Sequence, residues 1–557
     1  MKYLYLSLTW LLIIVQGAKA QDLERMDDFS KRKLFELRGS FSITSNFYFS
    51  SREINQQNPF QYVLSGNPVL SIYGFDVPLA FTFANEDFTF TGPSNFQRLG
   101  ASPYYKWVTV HAGYRNIAFS PYTLNNHNFL GGGVELNPGK WRLGFVYGRF
   151  VNAVAEDTTA TQALPPSYRR TGYAFKIGYG TNDNYLDISV LNAQDDPNSI
   201  PDPVNSTITP AKNLAIGISG RRTFFKKLLW EFHFGSSAYT EDITASEVEP
   251  SRRGVPGFLG SLYQPHASTR FNFAGHTSIT YREQAYSVKA EYMRVDPEYE
   301  TMGSYFFNND LERYTIAPTF SLWRGKLNVS GSVGLQRDNL LNNKAATTKR
   351  TIGSANLQWV PLPKFTINAQ YGNYATQQDA GLINLNDTIR VFQVNHNINL
   401  TPTYMITGDR FYHNFVLSLG SQILVDRNIF TENFTESQTN NFNFNYRLKN
   451  NLVDYGLNAG LNYLTLNSEQ AAITRYGISA GADKELFDNK LNLRLNGIFN
   501  LSEREGNRDG QVISGSFDIR YIPSQAHSFS IRSQAIINQT AADYEDYIIS
   551  ANYLFTL

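Results

Sequence analysis

The strongest constraint on this chain is a hydrophobic alternation of period two, sustained over segments of about ten residues and repeated along nearly its whole length. In the run from Leu327 to Gln336, the positions Leu327, Val329, Gly331, Val333 and Leu335 fall on one side. Asn328, Ser330, Ser332, Gly334 and Gln336 fall on the other. The runs beginning at Phe365 and Leu491 repeat the pattern, and the second places Arg494 among Asn492 and Asn496. Successive side chains of a strand point to opposite faces, so each run is a strand with one apolar and one wettable side. A sandwich hides its apolar faces in a core, whereas a membrane barrel turns them outward to lipid. Strand length decides between the two. Ten residues suit a tilted bilayer crossing, while sandwich strands cluster near five or six.

Composition points the same way. Only 17% of the residues are charged and 14% are aromatic, with 40 Phe and 34 Tyr. Soluble domains average about 25% charged residues, so an ordinary cytosolic globule is excluded. The mean hydropathy of −0.34 is too polar for a bundle of membrane helices. With no Cys, disulfide frameworks and thiolate metal sites are ruled out. The 49 basic residues are balanced by 48 acidic ones, so nucleic acid is not an expected partner.

The N-terminus reads as an export signal. Lys2 precedes an apolar run from Leu4 to Val15, and Ala18-Lys19-Ala20 fits a cleavage site, giving a signal peptide at 1–20. Residues 21–37 space Leu23, Met26, Leu34 and Leu37 among charges, which predicts a short periplasmic helix. The barrel is then expected over 38–557, all-β, antiparallel and up-and-down, with about 26 strands or else 24. Its connections fall into two sets. Short turns, often with a Lys or Arg, lie at 137–140, 225–227, 324–326, 361–364, 449–451, 488–490 and 522–526. Longer polar loops lie at 152–168, 194–210, 241–266, 338–348 and 427–440.

The final strand carries a resemblance. Tyr547, Ile549, Ala551, Tyr553, Phe555 and Leu557 share one face of a strand that ends the chain. It resembles the terminal strand by which bacterial outer-membrane β-barrel proteins are recognised for insertion, although the usual last residue is Phe and here it is Leu557. The resemblance to porin-like barrels implies location in the outer membrane of a Gram-negative bacterium. It also implies outer-membrane lipid and the barrel-assembly machinery as partners, with Tyr553, Phe555 and Leu557 as the assembly signal. Only 21–37 precede the first expected strand, which disfavours the TonB-dependent receptors, whose large plug domain lies ahead of the barrel.

A lumen this wide needs closing, and three devices are expected: infolded loops, with 241–266 the longest, the N-terminal helix, or a partner protein. The aromatic stretch from Ser102 to Glu135, including Ser120-Pro121-Tyr122-Thr123-Leu124 and Gly131-Gly132-Gly133, has two readings. It is a constriction or docking element, or it is a hairpin whose glycines permit close backbone approach, and the plain hairpin is preferred. Pore-lining positions are expected at Lys289, Glu291, Asn368, Asp454, Arg494 and Arg532, whose mixed signs argue against strong ion selectivity.

Catalytic signals are weak. Gly477-Ile478-Ser479-Ala480-Gly481 matches G-x-S-x-G but lies within an alternating strand, where no nucleophile elbow forms. The eight His show no H-E-x-x-H pattern. Gln194-Asp195-Asp196-Pro197-Asn198, with Asp202, lacks calcium-loop spacing and reads as a solvated acidic loop. No cofactor, metal or enzymatic activity is expected. Two functions fit: a porin-like channel for passive passage of polar solutes, narrowed by infolded loops, and a conduit or scaffold of a secretion or envelope-assembly machine gated by periplasmic or outer-membrane partner proteins.

Overall fold

The computed structural model describes residues 35–52, 58–72, 75–85, 99–156, 165–305, 308–380, 390–540 and 543–557. The signal sequence and residues 21–34 of the expected helix lie outside the described residues. Every strand belongs to one antiparallel sheet that closes on itself, with Ser40–Ser50 paired to Tyr544–Thr556. Three crossings are interrupted: Phe35–Arg38 continues as Ser40–Ser50, Phe60–Gly66 as Val69–Ile72, and Gly100–Ala101 as Tyr104–Tyr105. Counted as crossings, the barrel has 26 strands. The first interruption has a steric cause. Gly39 adopts φ 125, and a Cβ there would stand 2.5 Å from the Asn67 carbonyl oxygen, so the chain kinks beside Pro68.

The first strand begins inside the segment expected to be helical. Phe35–Arg38 is a strand, with Leu37 opposite Leu70 and Phe35 opposite Ile72, so the barrel begins at Phe35 rather than at Arg38. Phe35 and Leu37 alternate with Glu36 and Arg38, and that short period of two overrides the helical spacing.

Cross-strand register divides the sheet into two faces. One carries aromatic residues spaced six apart on single strands: Trp141 and Tyr147, Tyr173 and Tyr179, Tyr314 and Phe320, Phe365 and Tyr371. Trp141 is 49% and Tyr147 58% exposed, which a soluble exterior would not tolerate in a continuous band. Six residues span about 20 Å along a strand, so these pairs form the two aromatic girdles that flank an outward apolar belt. No described helix is long and apolar enough to cross a membrane, and the crossing is made by strands.

All seven short connections named from sequence lie at the end that also holds Phe35 and Leu557. Several are tight turns with left-handed residues, as at Phe225 (φ 52) and Lys226 (φ 59), which match the right-handed twist of flanking strands. The long loops lie at the other end. The wall is uneven: strands from Trp141 to Arg337 run 10–14 residues, and those from Ala346 onward run 13–18.

Candidate functional site

The inner face is identified by what touches it. The connection 118–126, between the strands Val108–Ile117 and His127–Leu136, reaches wall positions from Gly144 through Gly217 and Gly235. With Tyr122 it also borders a cavity bounded by Arg313, Gln336, Arg350 and Tyr374. One short loop can address so many consecutive strands only from the concave side. Loop 118–126 is therefore folded into the lumen, and the aromatic stretch is a hairpin and a constriction together.

The wall is shaped to receive it. Phe119 lies over Gly144, where a Cβ would stand 2.8 Å from the ring. Tyr122 lies over Gly235, where a Cβ would stand 2.4 Å from its own Cβ. Leu124 and Thr123 are fully buried, and Phe119, Leu124, Phe129, Val146, Phe150 and Leu191 form one apolar cluster. A second connection, which follows Tyr286–Val295, is infolded over residues 296–305 and locks onto the first. The Tyr299 hydroxyl donates to the Tyr122 carbonyl at 2.7 Å, and Thr301 Oγ1 donates to the Thr123 carbonyl at 2.9 Å. The Asn125 amide donates to the Gly303 carbonyl at 2.8 Å, and the Met302 amide donates to the Asn213 side chain at 3.1 Å. His127 stacks on Tyr305 with ring centres 4.1 Å apart. Two loops thus make a plug, held against one side of the barrel.

The longest loop does not take part. Residues Val255, Leu259 and Tyr263 pack on Leu214, Ala238, Ile216 and Phe271, which belong to the outward face. Loop 241–268 therefore folds over the exterior, contrary to the expectation that it narrows the lumen. Its apolar residues match the apolar outer wall. The inner wall at that height is polar and occupied, as Asn213 and Ser237 bind the 300–302 segment.

Lys289 and Glu291 face inward and pair at 2.6 Å, and Glu291 also accepts from Arg313 at 2.9 Å with His276 at 3.5 Å. Asn368 faces inward, opposite Gln358 and Thr401. Arg494 and Arg532 are brought together on either side of Asp518, directly across from it on the neighbouring strands. Asp483 is opposite Arg494 on the next strand and binds Arg447 at 2.9 Å. Asp483, Arg494, Asp518 and Arg532 thus form a belt of alternating sign around the inner wall, beside a cavity of about 650 Å³ that Arg520 also lines.

Asp454 departs from this set. It occupies the turn after Ser437–Asn450, with φ 48, and so belongs to the rim at the turn end and not to the wall. Asp195 and Asp196 are not simply solvated: they pair with Arg170 at 2.8 Å and with Arg169 respectively. Ser479 lies mid-strand in Ala471–Leu486, opposite Gly460 and Ile498, without the turn a nucleophile needs. Among the described residues, no cluster of three metal-ligating side chains converges.

Sequence reading missed several inward groups. Arg350 projects into a cavity of about 640 Å³ beside Tyr122, and its Nε is buried without an acceptor. His233 and His276 stack on the inner wall with ring centres 5.9 Å apart. An apolar residue at an inward position was the available signal, as at Val146, Phe150 and Leu191, because a wet wall has no use for one.

The closed barrel, its girdles and its asymmetric ends make the chain a β-barrel of the Gram-negative outer membrane. No family model matches the sequence, and no curated protein does. Among solved structures the chain is similar to OccAB2 of Acinetobacter baumannii, at 9% identity and TM-score 0.30, over 63% of this chain and 92% of that one. It is similar to OccK11 (OpdR) of Pseudomonas aeruginosa, at 10% identity and TM-score 0.30, over 70% and 96%. It is also similar to the siderophore receptor PirA of Acinetobacter baumannii, at 10% identity and TM-score 0.38, over 93% and 80%. The likeness is one of barrel architecture.

Proposed function

We propose that this barrel is a passive channel for polar solutes whose path runs beside the two-loop plug, along the inner wall of the later strands. One observation carries the reading: among the described residues, every buried apolar side chain except Val394 precedes residue 303. From Phe392 onward the inward positions are rich in Asn, as at Asn397, Asn399, Asn441, Asn443 and Asn445. Such positions suit a water-lined wall, since nothing apolar covers them. The charge belt around Asp518 would handle solutes of either sign. Outer-membrane lipid and the barrel-assembly machinery are the proposed partners, with Tyr553, Phe555 and Leu557 on the outward face of the closing strand read during insertion. The chemistry is transport without catalysis.

Planar-bilayer recording of the purified full chain is the test. Stepwise conductance with no added protein supports the channel. Silence at every voltage overturns it in favour of a conduit that opens only with a partner.

A further inference from the structure

The external loop has two faces. Val255, Leu259 and Tyr263 are buried against the barrel, while Phe258 is 77% and Leu262 63% exposed on the opposite side. Tyr263 is fixed by a hydrogen bond to Thr240 and by Lys212 over its ring at 4.9 Å, so the segment is pinned to the wall. Just before it, the 3-10 turn Pro250–Arg253 leaves Arg252 and Arg253 exposed. Neither arginine has an acid in its own turn.

The loop's place on the wall explains this pattern. Register rows climb obliquely around a barrel of tilted strands, and one row joins Tyr179 of the turn-end girdle to Tyr314 of the other. At the height of Tyr173 the outer wall therefore passes Val190 and Ile216 before the next ring, Phe234. Val190 and Ile216 bring no ring, and the loop packs against both. We propose that residues 250–263 complete the girdle as an interfacial anchor for the outer leaflet. Phe258 and Leu262 enter the acyl region, and Arg252 and Arg253 bind the phosphates of anionic lipid.

Three features favour lipid as the occupant. The site is continuous with the apolar belt that already meets the bilayer. Exposed Phe and Leu beside two arginines is the composition of an interfacial segment. The arginines stand where a negative headgroup surface would attract them.

The absence of Cys makes a clean test, because one introduced thiol is the only one in the chain. Leu262→Cys and, separately, Phe258→Cys are labelled with an environment-sensitive nitrobenzoxadiazole dye. Both positions are exposed, so folding is not at stake. The full barrel is placed in phosphatidylethanolamine vesicles with and without phosphatidylglycerol. The label at either position is expected to emit to the blue, resist iodide and be quenched by lipid brominated in its acyl chains. These properties are expected to hold at every protein-to-lipid ratio. Replacing Arg252→Gln and Arg253→Gln together is expected to lower the preference for phosphatidylglycerol roughly five-fold per arginine. A label quenched by iodide and insensitive to brominated lipid overturns the proposal. So does a blue shift lost on dilution in lipid, which would assign the surface to a second copy of the chain.

Discussion

The barrel has two halves built on different physics. Around the strands from Val108 to Leu322 the inner wall is part of a packed interior, where Leu124, Val146, Leu191 and Tyr299 are fully buried. Around the strands from Phe392 to Thr556 the inner wall carries amides and paired charges, and the strands are longer. Strand alternation alone produces the second half. The first half requires that inward positions break the alternation, with glycine where a loop must seat and apolar residues where it must bind. A barrel wall is thus a membrane crossing everywhere, but only part of it is a protein core.

Removing the plug should make the first half conduct like the second. Tyr122→Ala with Tyr299→Ala deletes both rings and one of the hydrogen bonds between the loops. Single-channel conductance should rise by roughly twofold or more, since the lumen would then be limited by its walls. Unchanged conductance would mean the plug does not bound the path.

Stability should separate the halves next. Phe129 is 1% exposed, so Phe129→Ala should cost about 3–5 kcal/mol in denaturant unfolding from lipid vesicles. Asn445→Ala, on the exposed inner wall, should change stability by no more than about 0.5 kcal/mol. Equal costs would erase the distinction.

A smaller effect is expected from a single charge on the bare wall. Asp518 lies between Arg494 and Arg532, so Asp518→Asn removes the only acid between two guanidinium groups. Reversal potentials in a salt gradient should shift toward anion preference. An unchanged reversal potential would place the belt off the conducting path.

The smallest effect is at the rim. Amides of Val204 and Asn205 donate to the Glu156 carboxylate, which holds its pKa below the ordinary carboxylate value. A depressed folded pKa stabilises the contact above the unfolded pKa near 4.5 and loses it as pH falls through the folded value. Protection of the Asn205 and Val204 amides, taken as exchange relative to the intrinsic rate at each pH, should therefore fall only on acidification. Protection that is flat through the acid range would show that the carboxylate is not the tie.

Much of this was legible in the residues. Period two, strand length and the two kinds of connection are local properties, so the 26 crossings, both ends and the inward placement of Lys289, Glu291, Asn368, Arg494 and Arg532 could be read directly. Asp454 misled because its turn continues the alternation of its neighbours by one residue, and only its left-handed backbone marks the end of the strand. The plug was harder. Loops 118–126 and 296–305 are far apart in sequence, and their complementarity exists only once Gly144 and Gly235 are seen to face them. Length favoured loop 241–268 as the closing element, but length says nothing of which face its Val255, Leu259 and Tyr263 will match.

Site-directed thiol modification during conductance recording tests the two-halves account most directly, again because the chain has no Cys of its own. Asn445→Cys lies on the bare wall, and Ser189→Cys lies 2% exposed behind Thr123 of the plug. A charged methanethiosulfonate reagent should react at position 445 and reduce the current, and should leave the current through the Ser189→Cys channel unchanged. Block at 189 with none at 445 would contradict the account, since the path would then run through the region assigned to the plug.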